Sequence, residues 1–362
     1  MLSFYSCFFL LTFISSARDI DARTPSIFTI NPQNTCSAVQ KNHYKWHEFE
    51  KFRDASKGSS IDGISELKKY FNNFGYLEAE EDITNVFDSN LELAVTRYQQ
   101  KLGLPINGKL DSPTLSKIMS PRCGVPDYPE TLHATKNYAY FTGRPRWGRN
   151  IPMTLTYAFS STNLIHSLSV AEVRGAFKRS FARWASVIPV SFAESEDYGY
   201  ADIKIGFYSG DHGDGEAFDG VLGVLAHAFS PESGRFHLDA AETWAVDFAV
   251  EKSAAAVDLE SVATHEIGHL LGLAHTDVEE AVMYPSLRPR EKKIELKIDD
   301  VRGVQALYGS NPNFSFQAFS ESDIYSNNAI GIGGGDGFIW VNLLVLNLVM
   351  PIWLCIYVNL CT

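Results

Sequence analysis

The chain has 362 residues, of which 45% are apolar and 13% are aromatic. This composition suits about two domains with substantial cores, and it excludes a globally disordered protein. The formal net charge of −12 is the opposite of the basic footprint that nucleic-acid binding needs, so we expect no nucleic-acid partner.

Both ends of the chain are predicted to lie outside its folded part. Residues 1–17 contain an apolar run followed by small residues before Arg18, which is typical of a secretory signal peptide. Residues 18–44 are polar and contain two prolines, and we expect a flexible leader there. Residues 311–337 are polar and glycine-rich, which predicts a flexible stalk in which Asn313 begins an N-glycosylation sequon.

The last segment, residues 338–362, contains no charged residue and is long enough to span a bilayer. A spanning helix is usually followed by Lys or Arg, whereas here the chain stops. Small residues at 326–329, then a spacer and an apolar tail, favour a GPI-anchor signal over a transmembrane helix. The expected location is therefore the extracellular face of the plasma membrane, reached by secretion and held by a lipid anchor.

A small all-α domain is predicted over residues 45–120. Apolar residues recur at helical spacing in 67–74 and again in 91–102. Asp111 followed by Pro113 is typical of the first turn of a third helix.

Residues 121–148 are predicted to form a processing linker that begins with an unusual cysteine. Cys123 lies between two prolines and beside Arg122, which indicates an exposed thiol in a positive environment that favours the thiolate. Because thiolate is a strong zinc ligand, Cys123 is a candidate ligand that occupies the open coordination position of a zinc ion until an activating protease removes this segment. The alternatives are a disulfide with Cys36 and a free thiol.

Residues 149–310 are predicted to form a mixed α+β domain. Apolar residues alternate over 153–159, which is typical of a half-buried strand. Ser169 and Glu172 have the spacing of a capping box at the start of a helix. Short strands are expected near 190–192 and 203–207, so a helix among strands indicates a sheet covered on one side.

A glycine- and acid-rich loop over 209–220 is a candidate for two metal sites. A His₃Asp set leaves no open position and therefore suits a structural zinc: His212, Asp214, His227 and His237. A set of oxygen ligands suits calcium: Asp219, Gly220 through its carbonyl, Asp239 and Glu242.

The central feature of the sequence is the stretch 265–275, H-E-I-G-H-L-L-G-L-A-H. On a helix, His265 and His269 lie one turn apart on the same face, so both rings can reach one ion. Gly272 permits a sharp reversal that returns His275 as a third ligand. Three protein ligands leave a fourth position open, which is the catalytic arrangement of zinc, and Glu266 follows the first histidine as a candidate base.

These residues resemble those of the matrix metalloproteinases, in the matrixin branch of the metzincins. Residues 121–127, P-R-C-G-V-P-D, match the cysteine-switch motif of that family, and 265–275 matches its zinc signature. Thr276 fits the matrixin branch, and Met283 matches the Met-turn. The resemblance covers roughly residues 45–310.

The resemblance implies a metzincin-like catalytic domain, a twisted mixed β-sheet with three helices, behind a small peptidoglycan-binding-like prodomain. It also implies that the two ligand sets of the 209–220 region bind structural zinc and calcium. Arg235 departs from the family by standing where many members have a calcium-binding Asp, although Asp202 remains a candidate for a second calcium. No hemopexin-like domain fits after residue 310, as in the short plant members.

The expected function is that of a zinc endopeptidase acting on proteins or peptides of the extracellular matrix or cell surface, latent through Cys123 and dependent on Glu266. The strand around 225–226 is expected to pair with an extended substrate. The family resemblance implies an apolar pocket beside the zinc, near 284–285. The alternative is a catalytically inert, surface-anchored protein that binds glycans or cell wall through 45–120. An intact base and an intact latch both argue against it.

Overall fold

The computed structural model describes residues 45–78, 83–128, 133–134 and 138–316. The predicted signal peptide, leader, most of the stalk and the apolar tail lie outside these residues, as does Cys36. Within the described part of the chain, no helix is both long and apolar enough to cross a membrane.

The described residues contain one 3₁₀ helix, six α-helices and eleven strands. The helices are the 3₁₀ helix Lys45–Phe52, α1 (Ile64–Asn73), α2 (Ser89–Lys101), α3 (Ser112–Ile118), α4 (Val170–Val187), α5 (Leu259–Leu270) and α6 (Ile298–Tyr308). The strands are β1 (Arg122–Cys123), β2 (His133–Ala134), β3 (Ala139–Tyr140), β4 (Met153–Phe159), β5 (Val190–Glu194), β6 (Ile203–Tyr208), β7 (Val224–Ala228), β8 (Arg235–Asp239), β9 (Trp244–Ala245), β10 (Val257–Asp258) and β11 (Leu273–Ala274).

The N-terminal part is all-helical, as the sequence predicted, and it has its own aromatic core. Asp88 and Asp111 cap α2 and α3 by accepting backbone N–H groups three residues ahead. Tyr70, Phe71 and Tyr98 are buried and contact one another edge-on, so α1 and α2 pack through aromatic rings.

A six-stranded mixed sheet dominates the C-terminal part, in the order β1-β7-β8-β6-β4-β5. Only β7 and β8 run antiparallel, and the other neighbours are parallel. The predicted Ser169–Glu172 capping box is present at the start of α4, which packs on α5 through Trp184, whose indole donates to the Thr264 carbonyl at 2.8 Å. The predicted α+β class is confirmed.

The segment predicted as a processing linker is partly built into this fold. β3 pairs with both β2 and β11, which directly follows α5. The Tyr140 hydroxyl donates to the Gly303 carbonyl at 2.9 Å, and the Trp147 indole donates to the Leu270 carbonyl at 2.9 Å. Its later residues therefore belong structurally to the C-terminal part, because two buried aromatic side chains anchor them there.

At Gly268, α5 closely approaches the side chains of Met283 and Trp184. A Cβ at this position would meet the Met283 sulfur at 2.2 Å and the Trp184 ring at 3.1 Å. Real Cβ contacts do not occur at 2.2 Å, so α5 rests on the Met-turn only because this helical residue lacks a side chain.

We therefore expect Gly268→Ala to lower the free energy of unfolding by about 1–3 kcal/mol through overpacking. Gly175→Ala is the matched control, since it is also a helical glycine and its Cβ would meet only the flexible Arg179 guanidinium at 3.4 Å. That control should gain about 0.5–1 kcal/mol from helix propensity. Urea unfolding measures both, and equal stability of the two variants would contradict the close approach.

Candidate metal centre and active site

Three histidine rings converge at the C-terminal end of α5. The Nε2 atoms of His265, His269 and His275 are 3.1 to 3.2 Å apart in each pair. Zinc–nitrogen bonds of 2.0–2.1 Å in a tetrahedron place such nitrogens about 3.3 Å apart. Gly272 has a φ of 102° where the chain turns back to the third histidine, as the spacing predicted.

The other ring nitrogens settle which tautomers are present. Nδ1 of His265 donates to the Val282 carbonyl at 2.7 Å, and Nδ1 of His269 donates to the Leu273 carbonyl at 2.8 Å. Nδ1 of His275 lies 2.7 Å from the Asp127 carboxylate. Burial lowers the pKa of each ring, so all three are neutral near pH 7 and direct three Nε2 lone pairs at one point. This donor set fits a cation.

Cys123 completes this group, and its sulfur lies 3.4 Å from Nε2 of His269. Its Sγ and the three ring nitrogens all lie within 4.8 Å of one another. The expectation that this thiol is exposed is wrong, since Cys123 is only 4% exposed. It is buried because its backbone N–H donates to the Pro285 carbonyl at 2.9 Å, while β1 pairs with β7 on its other side. Burial raises the pKa of the thiol well above its ordinary value, so a thiolate here needs an adjacent cation.

Glu266 lies beside the cysteine on the buried face of α5. Burial raises the pKa of its carboxyl to about 8, while a hydrogen bond from the Cys123 thiol and one from the Ala228 backbone oppose that rise. Its Oε2 is buried and makes no hydrogen bond. A carboxyl with a pKa near neutrality and one unused oxygen is suited to accepting and returning a proton.

The cysteine segment occupies the edge of the sheet that was expected to receive substrate. Arg122 and Cys123 pair in parallel with Val224 and Ala226 of β7. On the opposite side, the Leu287 N–H donates to the Pro121 carbonyl at 3.1 Å. The main-chain groups on both walls of the cleft are therefore already paired with the cysteine segment.

An apolar pocket opens between the histidines and the segment after the Met-turn. Its lining includes Leu225, Val262, Val282, Tyr284 and Lys293. Tyr284 also packs into the aromatic core of the prodomain. The pocket lies where the sequence analysis expected one, next to 284–285.

The second histidine set also forms a compact group. Oδ2 of Asp214 lies 2.7 to 2.9 Å from ring nitrogens of His212, His227 and His237. Burial and the neighbouring His227 lower the pKa of His237 to about 4, so its ring is neutral at pH 7. Three imidazoles around one carboxylate fit a four-coordinate structural zinc.

The proposed calcium ligands surround the turn at residues 220–224, which lies between Asp214 and His227 of the second histidine set. Asp239 accepts from the Gly220 N–H at 3.1 Å, Glu242 from the Leu222 N–H at 2.7 Å and Asp219 from the Val224 N–H at 2.8 Å. Burial raises the pKa of Glu242 to about 8, and its buried Oε2 makes no hydrogen bond. A buried carboxylate oxygen that makes no hydrogen bond, in a cluster of acidic residues, is suited to binding a cation.

The structure brings the proposed calcium ligands together less tightly than the residues of the two histidine sets. Within the described ranges, only the two histidine sets place three or more such ligand atoms within 4.8 Å of one another. Asp202, considered for a second calcium, instead pairs with the Arg149 guanidinium and accepts from Thr156. Asn313 is exposed, as a glycosylated residue must be.

Sequence reasoning missed three residues that bear on the centre. Asp127 and Lys101 both bind His275, the first through the ring and the second through a 3.0 Å hydrogen bond to its carbonyl oxygen. Gly268 was missed as well. The P-R-C-G-V-P-D motif contains Asp127, but nothing in one sequence connects it to a histidine 148 positions away.

Comparison with known proteins agrees with this geometry. Residues 146–309 match the matrixin family model, and residues 60–118 match that of a putative peptidoglycan binding domain. Metalloendoproteinase 4-MMP of Arabidopsis thaliana is 52% identical over 331 residues, which cover 90% of this chain and 88% of that protein. The chain belongs to the matrixin family.

Other relatives define its place in that family. Metalloendoproteinase 1-MMP of Arabidopsis thaliana is 49% identical over 356 residues, covering 95% of this chain and 96% of that protein. Human Matrix metalloproteinase-20 is 39% identical over 252 residues, covering 68% of this chain but 48% of that protein. The predicted resemblance to the short plant matrixins is confirmed. Matrixins are metalloendopeptidases with catalytic and structural zinc, and calcium is typical of them.

We expect the stability of this matrixin to depend on pH and calcium together, because of its acidic cluster. Burial raises the folded-state pKa of Asp239 to about 6 and of Glu242 to about 8, above their unfolded values. Protonation therefore favours the folded state, and stability should fall as pH rises from about 4 to 8 in zinc buffers without calcium. Added calcium should reverse most of that fall in stability. Thermal unfolding midpoints at each pH measure the effect. Glu242→Gln should flatten the pH dependence, whereas Glu196→Gln, at an exposed site, should leave it unchanged.

Proposed function

We propose that this matrixin is a zinc endopeptidase of the cell surface or extracellular matrix, made as a latent precursor. The observation that carries the proposal is the convergence of three neutral histidines and Cys123 beside Glu266. In this assignment His265, His269 and His275 hold the catalytic zinc, while His212, Asp214, His227 and His237 hold the structural one. Asp219, Gly220, Asp239 and Glu242 hold calcium.

Bound zinc would supply a Lewis acid that polarises the scissile carbonyl and activates water. Residues of the chain carry out the proton transfers and bind the substrate. Glu266 accepts a proton from the attacking water and passes it to the leaving amine, a role supported by its raised pKa and its unpaired oxygen. Once β1 has left, β7 can hydrogen-bond an extended peptide, and the pocket beside Tyr284 receives an apolar side chain.

Latency follows from what the propeptide occupies. Cys123 takes the position in the ligand group that a water would otherwise fill, and β1 takes the sheet edge. An activating protease that cuts between Asp127 and residue 148 removes both together. The proposed order along the chain is signal peptide 1–17, leader 18–44, prodomain 45–120, switch and linker 121–148, and catalytic domain 149–310.

Secretion and surface anchoring are further parts of the proposal. They are supported by the apolar N-terminal run, the Asn313 sequon in the stalk 311–337, and the uncharged tail 338–362 as a GPI-anchor signal. The substrates are then proteins or peptides that reach the outer face of the plasma membrane.

Glu266→Ala should lower kcat/KM by about 10²–10⁴-fold, because a general base contributes rate enhancement of that order. Both zinc sites should stay filled, since their proposed ligands are unchanged. The assay follows a generic peptide after mercurial treatment, with zinc measured by mass spectrometry. The matched control is Glu196→Ala, which removes an exposed carboxylate. Cleavage by Glu266→Ala at the control's rate would refute the assigned mechanism.

Cys123→Ser should weaken latency because a hydroxyl is a much poorer zinc ligand than a thiolate. The purified Cys123→Ser precursor should shorten itself on incubation with zinc and calcium, while the wild-type precursor stays intact. Intact-mass measurement follows the loss of the propeptide. The double variant Cys123→Ser/Glu266→Ala is the control for contaminating proteases and should remain full-length. A single variant as stable as the wild type would count against the switch.

A further inference from the structure

The three histidines of the candidate catalytic centre differ in where their Nδ1 acceptors come from. His265 and His269 donate to the carbonyls of Val282 and Leu273, which are backbone groups of the catalytic domain. His275 donates instead to a side chain of the propeptide, Asp127, at 2.7 Å. Cleavage after residue 127 therefore leaves two histidines fully supported and removes the acceptor of the third.

Asp127 is held rigidly for this contact. It is 1% exposed, and its N–H donates to the Phe74 carbonyl at 3.1 Å. Oδ1 accepts from the Arg122 guanidinium at 2.6 Å as well as from His275, while Oδ2 accepts from the Tyr76 hydroxyl at 2.6 Å. The fully buried Arg122 guanidinium forms an ion pair with this carboxylate, so the acceptor of His275 is a charged group.

A second prodomain group holds the backbone of the same histidine. Nζ of Lys101, at the end of α2, donates to the His275 carbonyl at 3.0 Å. His275 is thus fixed at its ring by one propeptide charge and at its backbone by another. The segment after α5 that carries this histidine is a turn and a two-residue strand paired with β3, so it lies outside the helix that holds the other two histidines.

We propose that Asp127 is a positioning residue for His275, so that the prodomain builds the third zinc ligand of the precursor while it blocks the fourth position. This rests on the assignment of the three histidines to the catalytic zinc. A carboxylate on the distal nitrogen fixes the tautomer and ring orientation and raises the basicity of the ligating nitrogen. The precursor consequently holds its catalytic zinc more tightly than the mature enzyme, for a reason separate from the Cys123 thiolate.

The test measures transfer of zinc from purified full-length precursors to a colorimetric chelator. Asp127→Asn keeps a neutral acceptor but removes the charge, and it should release the catalytic zinc about 10–100-fold faster than the wild type. The release phase of that zinc is identified as the one missing from a His265→Ala precursor. Retention of the structural zinc shows that the variant is folded.

Two matched variants distinguish the positioning of His275 by Asp127 from the stability of the cysteine segment as a whole. Tyr76→Phe removes the hydrogen bond on the other carboxylate oxygen and should release zinc at nearly the wild-type rate. Arg122→Met breaks the ion pair but leaves the Asp127–His275 contact, so it should accelerate release less than Asp127→Asn does. Equal acceleration by Arg122→Met and Asp127→Asn, or none by Asp127→Asn, overturns the proposal.

A comparison without an Asp127 variant covers the case in which that variant fails to fold. The Cys123→Ser/Glu266→Ala precursor has lost the thiolate but keeps Asp127, whereas mature Glu266→Ala enzyme, released by an added protease, has lost both. The precursor should release zinc more slowly than the mature form, and equal rates refute the proposal. Normal peptide cleavage by mature wild-type enzyme in the same series would show that the proposed function stands even if this inference falls.

Discussion

Three imidazole lone pairs directed at one point repel one another, and this constraint organises the catalytic part of the molecule. The Nε2 atoms lie 3.1 to 3.2 Å apart, and every Nδ1 is already committed to an acceptor. The arrangement is favourable only with a shared cation, so the free energy of metal binding contributes to folding here. Gly272 and the Met-turn serve that geometry, the first by reversing the chain and the second by supporting α5 through Gly268.

The prodomain and the cysteine segment that follows it cover this centre. Cys123 completes the ligand group, and the main chain of the cysteine segment pairs with the free edge of β7 and with the segment after the Met-turn. The aromatic core of the prodomain also receives Tyr284, a residue that lines the neighbouring pocket. Metal position, sheet edge and pocket wall are thus covered by one contiguous surface. Because all of these contacts come from residues up to 128, the proposed cleavage after Asp127 would uncover them together.

The sequence was most informative where function depends on local spacing. The i, i+4 pair of His265 and His269, the turn at Gly272 and the capping box at Ser169 are each set by a few neighbouring residues. It was least informative where burial depends on distant partners. Cys123 was expected to be exposed because prolines and an arginine flank it, but pairing on both sides buries it. The linker was underestimated for the same reason, since Tyr140 and Trp147 find their acceptors far along the chain.

The buried ion pair between Arg122 and Asp127 is best understood through this contact with the zinc centre. Desolvating two charges costs about as much as their attraction returns, so such a pair is weak support for stability by itself. Here the guanidinium lies 3.7 Å from the centre of the Phe74 ring and also donates to the Cys123 carbonyl at 3.2 Å. Arg122 therefore ties the backbone of the cysteine to the carboxylate that faces His275. In the proposed zinc centre, Cys123 and His275 would be held in register by this one side chain, and that is a geometric role for a fully buried charge.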